Sequence, residues 1–232
     1  MFKSFLKIII VAFIFGLGST SCTIQNRHVP QYVENIPQRA QYIASQSHYL
    51  SPKLVVMALN AYNKAQSLGY GEKHILTIID YSEPSTCSRF WVIDLNTNKI
   101  LFQELVAHGQ GSGSLYATNF SDQINSKSTS VGVYLTAPSP YYGRHGYSLR
   151  LKGLEPGFNG NAWTRAIVLH SAPYVCQSFA HTHGFVGRSW GCPALNPKDI
   201  KQIINVLKGN TLIFAYGNNP DWLKHSHFLN HN

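Results

Sequence analysis

Between residues 74 and 216 the apolar residues come in short runs, and this segmentation constrains the fold more than any other feature of the chain. Residues 74–79, 90–95, 100–107, 130–136, 165–170 and 211–216 are short stretches carrying β-branched and aromatic side chains, the pattern of buried strands rather than helices. Asn96-Thr97-Asn98 is turn chemistry and predicts a hairpin joining the second and third runs. Long Gly/Ser/Asn-rich loops at 108–129 and 137–164 intervene, of a length that in a compact domain marks functional or disordered segments. Only two segments carry helical spacing. Ser51 and Pro52 supply an N-cap and a first helical residue, Leu54, Val55, Ala58, Leu59, Tyr62, Ala65 and Leu68 share one face, and Gly69 stops a helix over 51–69. Asn196-Pro197 opens the other, with Asp199 near its positive end, Ile200, Ile203, Ile204 and Leu207 on its core face and Gly209 at its close. The expectation is a mainly β chain with a few helices (α+β): one domain over 51–217 with the 51–69 helix packed on it. Residues 22–50, with Pro30 and Pro37 and no clear period, read as a linker, and 218–232, with His225, His227 and His231, as a polar tail.

The N-terminus bears on compartment. Lys3 and Lys7 precede an uncharged apolar run over 8–17, followed by Gly18, Ser19, Thr20 and Ser21. The run is shorter than the roughly 20 residues a spanning helix needs, and the order basic, apolar, small is that of a secretory signal peptide over 1–21. A buried N-terminal helix is the other reading. Cys22 follows directly, which resembles a bacterial lipoprotein box, although Ser19 stands where such boxes carry an aliphatic residue. Two outcomes are open: membrane attachment through lipidated Cys22, or plain cleavage to a periplasmic protein. Both place the chain outside the cytoplasm, in the periplasm or cell envelope.

The segment Arg188-Ser189-Trp190-Gly191-Cys192-Pro193-Ala194 carries the chemistry. Gly191 allows a tight backbone turn ahead of the cysteine, and Pro193 restricts the chain after it. A thiol is nucleophilic only as thiolate, so a reactive cysteine needs a base or cation beside it. His170, at the end of the run 165–170, is the leading base. On the residues alone two readings stand: a catalytic Cys–His pair, or a buried structural cysteine and a hydrogen-bonded core histidine. Cys87 and Cys176 are left over, as a disulfide or as two inert thiols. A zinc hydrolase is the rival enzyme, with His181-Thr182-His183 joined by His170, His145 or Cys192. It lacks a further ligand at fixed spacing and a Glu base of the His-Glu-x-x-His kind.

The runs His170-Ser171-Ala172-Pro173-Tyr174-Val175 and Gly187-Arg188-Ser189-Trp190-Gly191-Cys192-Pro193-Ala194 resemble the murein L,D-transpeptidase catalytic domain family, in the subgroup with Ser-Trp-Gly-Cys-Pro around the nucleophile. Relative to the wider group, Ser171 replaces a glycine after the histidine and Trp190 replaces a second histidine. The likeness continues through Asp80-Tyr81-Ser82, Arg89, Val106-Ala107-His108-Gly109, Phe120-Ser121-Asp122, Ser128-Thr129-Ser130, Tyr142-Gly143, His145-Gly146 and Gly153-Leu154-Glu155. It implies a β-sandwich catalytic domain of the L,D-transpeptidase type with an N-terminal helical segment. It further implies acyl transfer on the tetrapeptide stems of peptidoglycan through a Cys192 thioester. His170 would move the proton, the Ser171 carbonyl would orient the imidazole, and N–H groups at Trp190, Gly191 and Cys192 would stabilise the oxyanion. Arg188 and Arg165 are candidate carboxylate binders, Tyr142 and His145 a candidate lid, and Ser189 a candidate brace for the turn. Water in place of an amine acceptor would make the same site an L,D-carboxypeptidase. A non-catalytic wall-binding lipoprotein is the reading from another class, against which the presence of both Cys192 and His170 argues. No cofactor and no metal is required. The formal charge of +9 suits anionic lipid or the carboxylates of stem peptides, and its dispersed Lys and Arg residues do not outline a nucleic-acid surface.

Overall fold

A computed structural model of the chain describes residues 35–230. The expected signal peptide and Cys22 lie outside the described residues. Within them the elements run α1 (Ile36–Ala44), α2 (Pro52–Ser67), β1 (Ile75–Asp80), β2 (Phe90–Asp94), β3 (Lys99–Glu104), β4 (Gly132–Thr136), β5 (Tyr141–Gly143), β6 (Gly146–Gly153), β7 (Val168–Ser171), α3 (Gln177–His183), β8 (Ala194–Leu195), α4 (Ile200–Leu207), β9 (Leu212–Tyr216) and α5 (Pro220–His225). The strands join in a nine-stranded mixed sheet of order β3-β2-β1-β9-β4-β6-β7-β8, with β5 paired to β6. The predicted β2–β3 hairpin is present, and Asn98 takes the left-handed conformation (φ 57°) that its turn needs.

Strand alternation sorts side chains into two apolar clusters. Ile78, Trp91, Val133 and Phe214 face one way, where Ala58, Leu59, Ile43 and Trp222 from the helices meet them. Ile79, Val92, Leu151 and Ile213 face the other way, against Ile203, Ile204 and Leu207 of α4. Central β1 and β9 are buried along nearly their whole length, whereas edge strand β3 alternates exposed and half-buried residues. The expected 51–69 helix is α2, with the Ser51 hydroxyl accepting from Leu54 N–H at 3.4 Å.

Three segments depart from the sequence reading. The stretch taken as a linker contains α1, capped by Asn35, which buries Ala40, Ile43 and Ala44. Pro37 does not break this helix because it falls in the first turn, where no N–H is needed. The stretch taken as a polar tail contains α5, capped by Asn219 and anchored by the fully buried Trp222, with Phe228 buried beyond it. One or two aromatics set no period, so pattern could not reveal them. The loop at 137–164 holds the β5–β6 hairpin, whose strand β5 is wholly exposed and so lacks alternation. Cys87 and Cys176 are free thiols, not a disulfide.

Glu155 ties α5 to the sheet. Its buried carboxylate accepts from Val133 N–H at 2.8 Å and from the Trp222 indole N–H at 3.2 Å. Burial pushes its carboxyl above the usual range, while these donors and the Ser226 hydroxyl pull it back. Glu155→Gln puts an NH2 group where only donors converge, so the variant should lose about 1–3 kcal/mol. The urea midpoint reads this, and an unchanged midpoint would show that the carboxylate is not the tie.

Candidate active site

The register of β7 and β8 assembles the site. These strands pair in parallel with His170 opposite Ala194 and Ser171 opposite Leu195. Following that register back two residues brings Cys192 level with Val168, and the Val168 N–H donates to the Cys192 Sγ at 3.4 Å. His170 on β7 and Cys192, in the turn just ahead of β8, are therefore brought to one side of the sheet edge by this pairing.

A braced turn presents the thiol. Ser189 Oγ donates to the Cys192 carbonyl at 2.6 Å and accepts the Gly191 N–H at 3.1 Å. Gly191 has φ 119°, a conformation that excludes ordinary side chains. Below it, Gly109 N–H donates to Thr129 Oγ1 at 2.9 Å, and that hydroxyl donates to the Gly191 carbonyl at 3.4 Å. Ser189 N–H donates to the His108 carbonyl, and Gln110 N–H to that of Ser189. The loop at 108–113 thus forms the floor of the turn.

This floor rests on a buried cation. The Arg89 guanidinium donates to the carbonyls of Val106 and Glu83 and to His108 Nδ1 at 2.7 Å. Burial lowers Arg89 to about 10, so it stays charged at neutral pH. Burial and the Arg89 charge push His108 down to about 4, so its ring is neutral and its Nε2–H donates to Gly113 O at 3.3 Å. The same Gly113 carbonyl accepts from Arg188 Nη1 at 3.2 Å.

The His170 imidazole donates through Nδ1 to the Ser171 carbonyl at 2.9 Å, which leaves Nε2 as the basic nitrogen. Burial depresses its pKa; the Ser171 bond opposes this and His145, whose ring lies 4.4 Å away, adds to it. Burial raises the Cys192 thiol, against the pull of the Val168 N–H and Arg165. Neutral thiol and neutral imidazole are the resting forms at neutral pH. Both line a cavity of about 270 Å³ with Arg144, His145, Tyr174, Arg188, Ser189 and Trp190.

Most residues singled out from sequence thus meet in one place, Ser171 through its carbonyl and Gly191 through its backbone. Two stand apart. Arg165 is not part of the cavity wall: its guanidinium donates to the carbonyls of Ser121 and Ser128 and to the Ser130 hydroxyl, and pairs with Asp122 at 3.6 Å. A buried guanidinium so saturated braces from behind the turn that carries Cys192. Tyr142 packs its ring on Tyr147 at 5.1 Å, outside the cavity wall. Arg144 and Tyr174 were not singled out; their only sequence signal is adjacency, Arg144 to His145 and Tyr174 to the run beginning at His170. His181 and His183 lie on α3, where His183 stacks on Phe179, and among the described residues no group of three or more His, Cys, Asp and Glu could hold a metal ion.

A family model described as the L,D-transpeptidase catalytic domain matches residues 46–216. No curated protein matches the chain. Among solved structures, L,D-transpeptidase 3 from Mycobacterium tuberculosis is similar at 14% identity and a TM-score of 0.40, over 62% of this chain and 62% of that one. An L,D-transpeptidase from Mycobacterium smegmatis is similar at 14% identity and a TM-score of 0.39, over 62% and 59%. One from Stackebrandtia nassauensis is similar at 15% and 0.38, over 80% and 77%. This chain spans about three fifths of the length of the mycobacterial structures it matches.

Proposed function

Because the chain belongs to the L,D-transpeptidase catalytic domain family, we propose that Cys192 is the nucleophile of an acyl transfer on tetrapeptide stems of peptidoglycan. The observation that carries this reading is the shared cavity: the Cys192 thiol and a His170 imidazole pinned at Nδ1 by the Ser171 carbonyl line the same wall. His170 Nε2 takes the thiol proton as Sγ attacks the carbonyl between the third residue and the terminal D-Ala. The tetrahedral intermediate collapses to a thioester, and the same nitrogen returns the proton to the departing D-Ala amine. A second stem's amine then attacks the thioester, forming the cross-link and freeing the thiol. Since the Gly191 N–H is held by Ser189 Oγ, oxyanion stabilisation falls to the Trp190 and Cys192 N–H groups. The chain would work in the envelope, where its substrate lies, exported by residues 1–21 and either lipidated at Cys22 or free in the periplasm.

The test is mass spectrometry of the full chain with disaccharide-tetrapeptides. Loss of D-Ala, a covalent adduct on the protein and a cross-linked dimer establish transpeptidation. D-Ala release without dimer makes water the acceptor and the enzyme an L,D-carboxypeptidase. No reaction and no adduct would favour a wall-binding protein instead.

The pH profile tests the base. With His170 depressed below the ordinary histidine value of about 6.5, the imidazole stays neutral into mildly acidic solution, and the acid limb of kcat/KM should lie below that value. In His145→Ala one cause of the depression is gone, so the His170 pKa rises and the limb should move to higher pH. A limb that stays put or moves to lower pH would remove His145 from the base's surroundings.

A further inference from the structure

We infer that the cavity selects donor stems whose third residue carries a free side-chain carboxylate, and that Arg144 reads it; this rests on the stem-peptide reading above. The walls include Arg144, Arg188 and His145 and no Asp or Glu. The Lys127 ammonium adds positive charge at the rim, 4.9 Å from the Trp190 ring. Among the described residues the ion pairs are Arg165–Asp122 and His225–Asp221, so neither cavity arginine is matched by a carboxylate of the chain. A site built this way is completed by anions from its ligand.

The two arginines differ in freedom. Arg188 spends Nη1 on the Gly113 carbonyl and lies near the Ser114 hydroxyl, with its guanidinium 5.3 Å from the Phe185 ring. Arg144 makes no hydrogen bond or ion pair among the described residues, and its full fork of donors is available. Its place is set by its neighbour. Gly143 pairs with Gly146 across the β5–β6 hairpin, so Arg144 and His145 form the tip, and the His145 ring lies on His170. That contact brings the tip to the base and carries Arg144 with it.

The substrate supplies the second half of the argument. The attacked carbonyl belongs to the third stem residue, so the side chain of that residue begins two bonds from the reacting carbon and must lie inside the cavity or at its mouth. The terminal D-Ala carboxylate offers one anion for two arginines. A lysine side chain would bring a further cation beside Arg144 and Arg188, with no carboxylate to receive it. A diaminopimelate side chain carries a like ammonium but joins to it a carboxylate of its own, in a geometry that a guanidinium fork matches with paired hydrogen bonds.

The experiment compares disaccharide-tetrapeptides with meso-diaminopimelate, its side-chain amide or L-lysine at the third position, using the full chain, Arg144→Ala and Arg144→Lys. The wild type should favour the free carboxylate by about 10-fold in kcat/KM over both others, the scale of one charge-assisted contact. Arg144→Ala should close most of that gap through a higher KM for the carboxylate stem, and Arg144→Lys should restore part of it. Equal use of all three stems by the wild type, or a gap that survives Arg144→Ala, would overturn the inference while leaving acyl transfer in place. Absence of turnover with every stem would overturn the donor reading itself, and the inference with it.

Discussion

A Cys192→Ala chain should fold as the wild type does and lose acyl transfer by at least about 10⁴-fold, with no covalent adduct at any pH. The two halves of this expectation have separate causes. Structurally, the side chain contributes a pair of long contacts, the Val168 N–H to Sγ at 3.4 Å and Sγ to the Ala166 carbonyl at 3.9 Å, on a turn that is braced by Ser189 and Thr129 instead. Its loss should cost about 1 kcal/mol, small enough that the urea midpoint moves little. Chemically nothing nearby can substitute. Cys87 and Cys176 are free thiols but form no part of the cavity wall, and the Ser189 hydroxyl is committed to the Cys192 carbonyl and the Gly191 N–H. The raised thiol pKa strengthens the point, because a thiol held neutral by burial attacks nothing until a base takes its proton. Full-length muropeptide product analysis reads the activity. Retained turnover in a folded Cys192→Ala chain would mean that the nucleophile is another group.

How the site was legible in sequence follows from what each residue does. Cys192, Gly191 and Ser189 sit in one contiguous motif, and His170 heads another, so most of the residues that line the cavity around the thiol were in view before any geometry. Their juxtaposition was not, because it depends on the parallel β7–β8 register, and β8 is only Ala194–Leu195, too short to announce itself as a strand. Arg165 shows the converse. An arginine near a catalytic motif invites a substrate role, yet whether it faces the cavity or the back of the turn is decided by the 121–130 loop, whose backbone carbonyls carry no signal in residue identity. The Arg89–His108 pair was within the family likeness but unassigned, since a buried arginine with no carboxylate partner is an arrangement that pattern does not predict. The helices α2 and α4 were visible, while α1 and α5 were not. Both are short and begin at Asn caps; α5 is anchored by Trp222, and the packed face of α1 is half alanine, Ala40 and Ala44 beside Ile36 and Ile43, too weakly apolar to stand out in the pattern.

Gly191→Ala should be damaging in both stability and activity, and the comparison with Gly184→Ala separates the reasons. Both glycines have positive φ, 119° at Gly191 and 76° at Gly184, so each alanine takes on backbone strain of about 1–2 kcal/mol. At Gly184, the C-terminal residue capping α3, a Cβ would meet nothing within 4 Å, and strain is the whole effect. At Gly191 the same atom would stand 2.6 Å from the Ser128 carbonyl oxygen, 3.0 Å from Arg165 Nη2 and 3.3 Å from Ile167 Cδ1. The first contact is backbone, and Ser128 O already accepts the Arg165 guanidinium at 2.6 Å, so neither group can retreat without breaking the brace behind the turn. The turn must therefore move, taking Cys192 with it. We expect Gly191→Ala to lose about 3 kcal/mol of stability and, where it still folds, about 10²-fold in kcat/KM, the scale of a nucleophile displaced by roughly 1 Å. Gly184→Ala should lose only the strain and keep its activity. Urea midpoints and single-turnover acylation on both variants decide it: equal stability losses would mean that φ alone matters at Gly191, and full acylation by Gly191→Ala would mean that the turn does not aim the thiol.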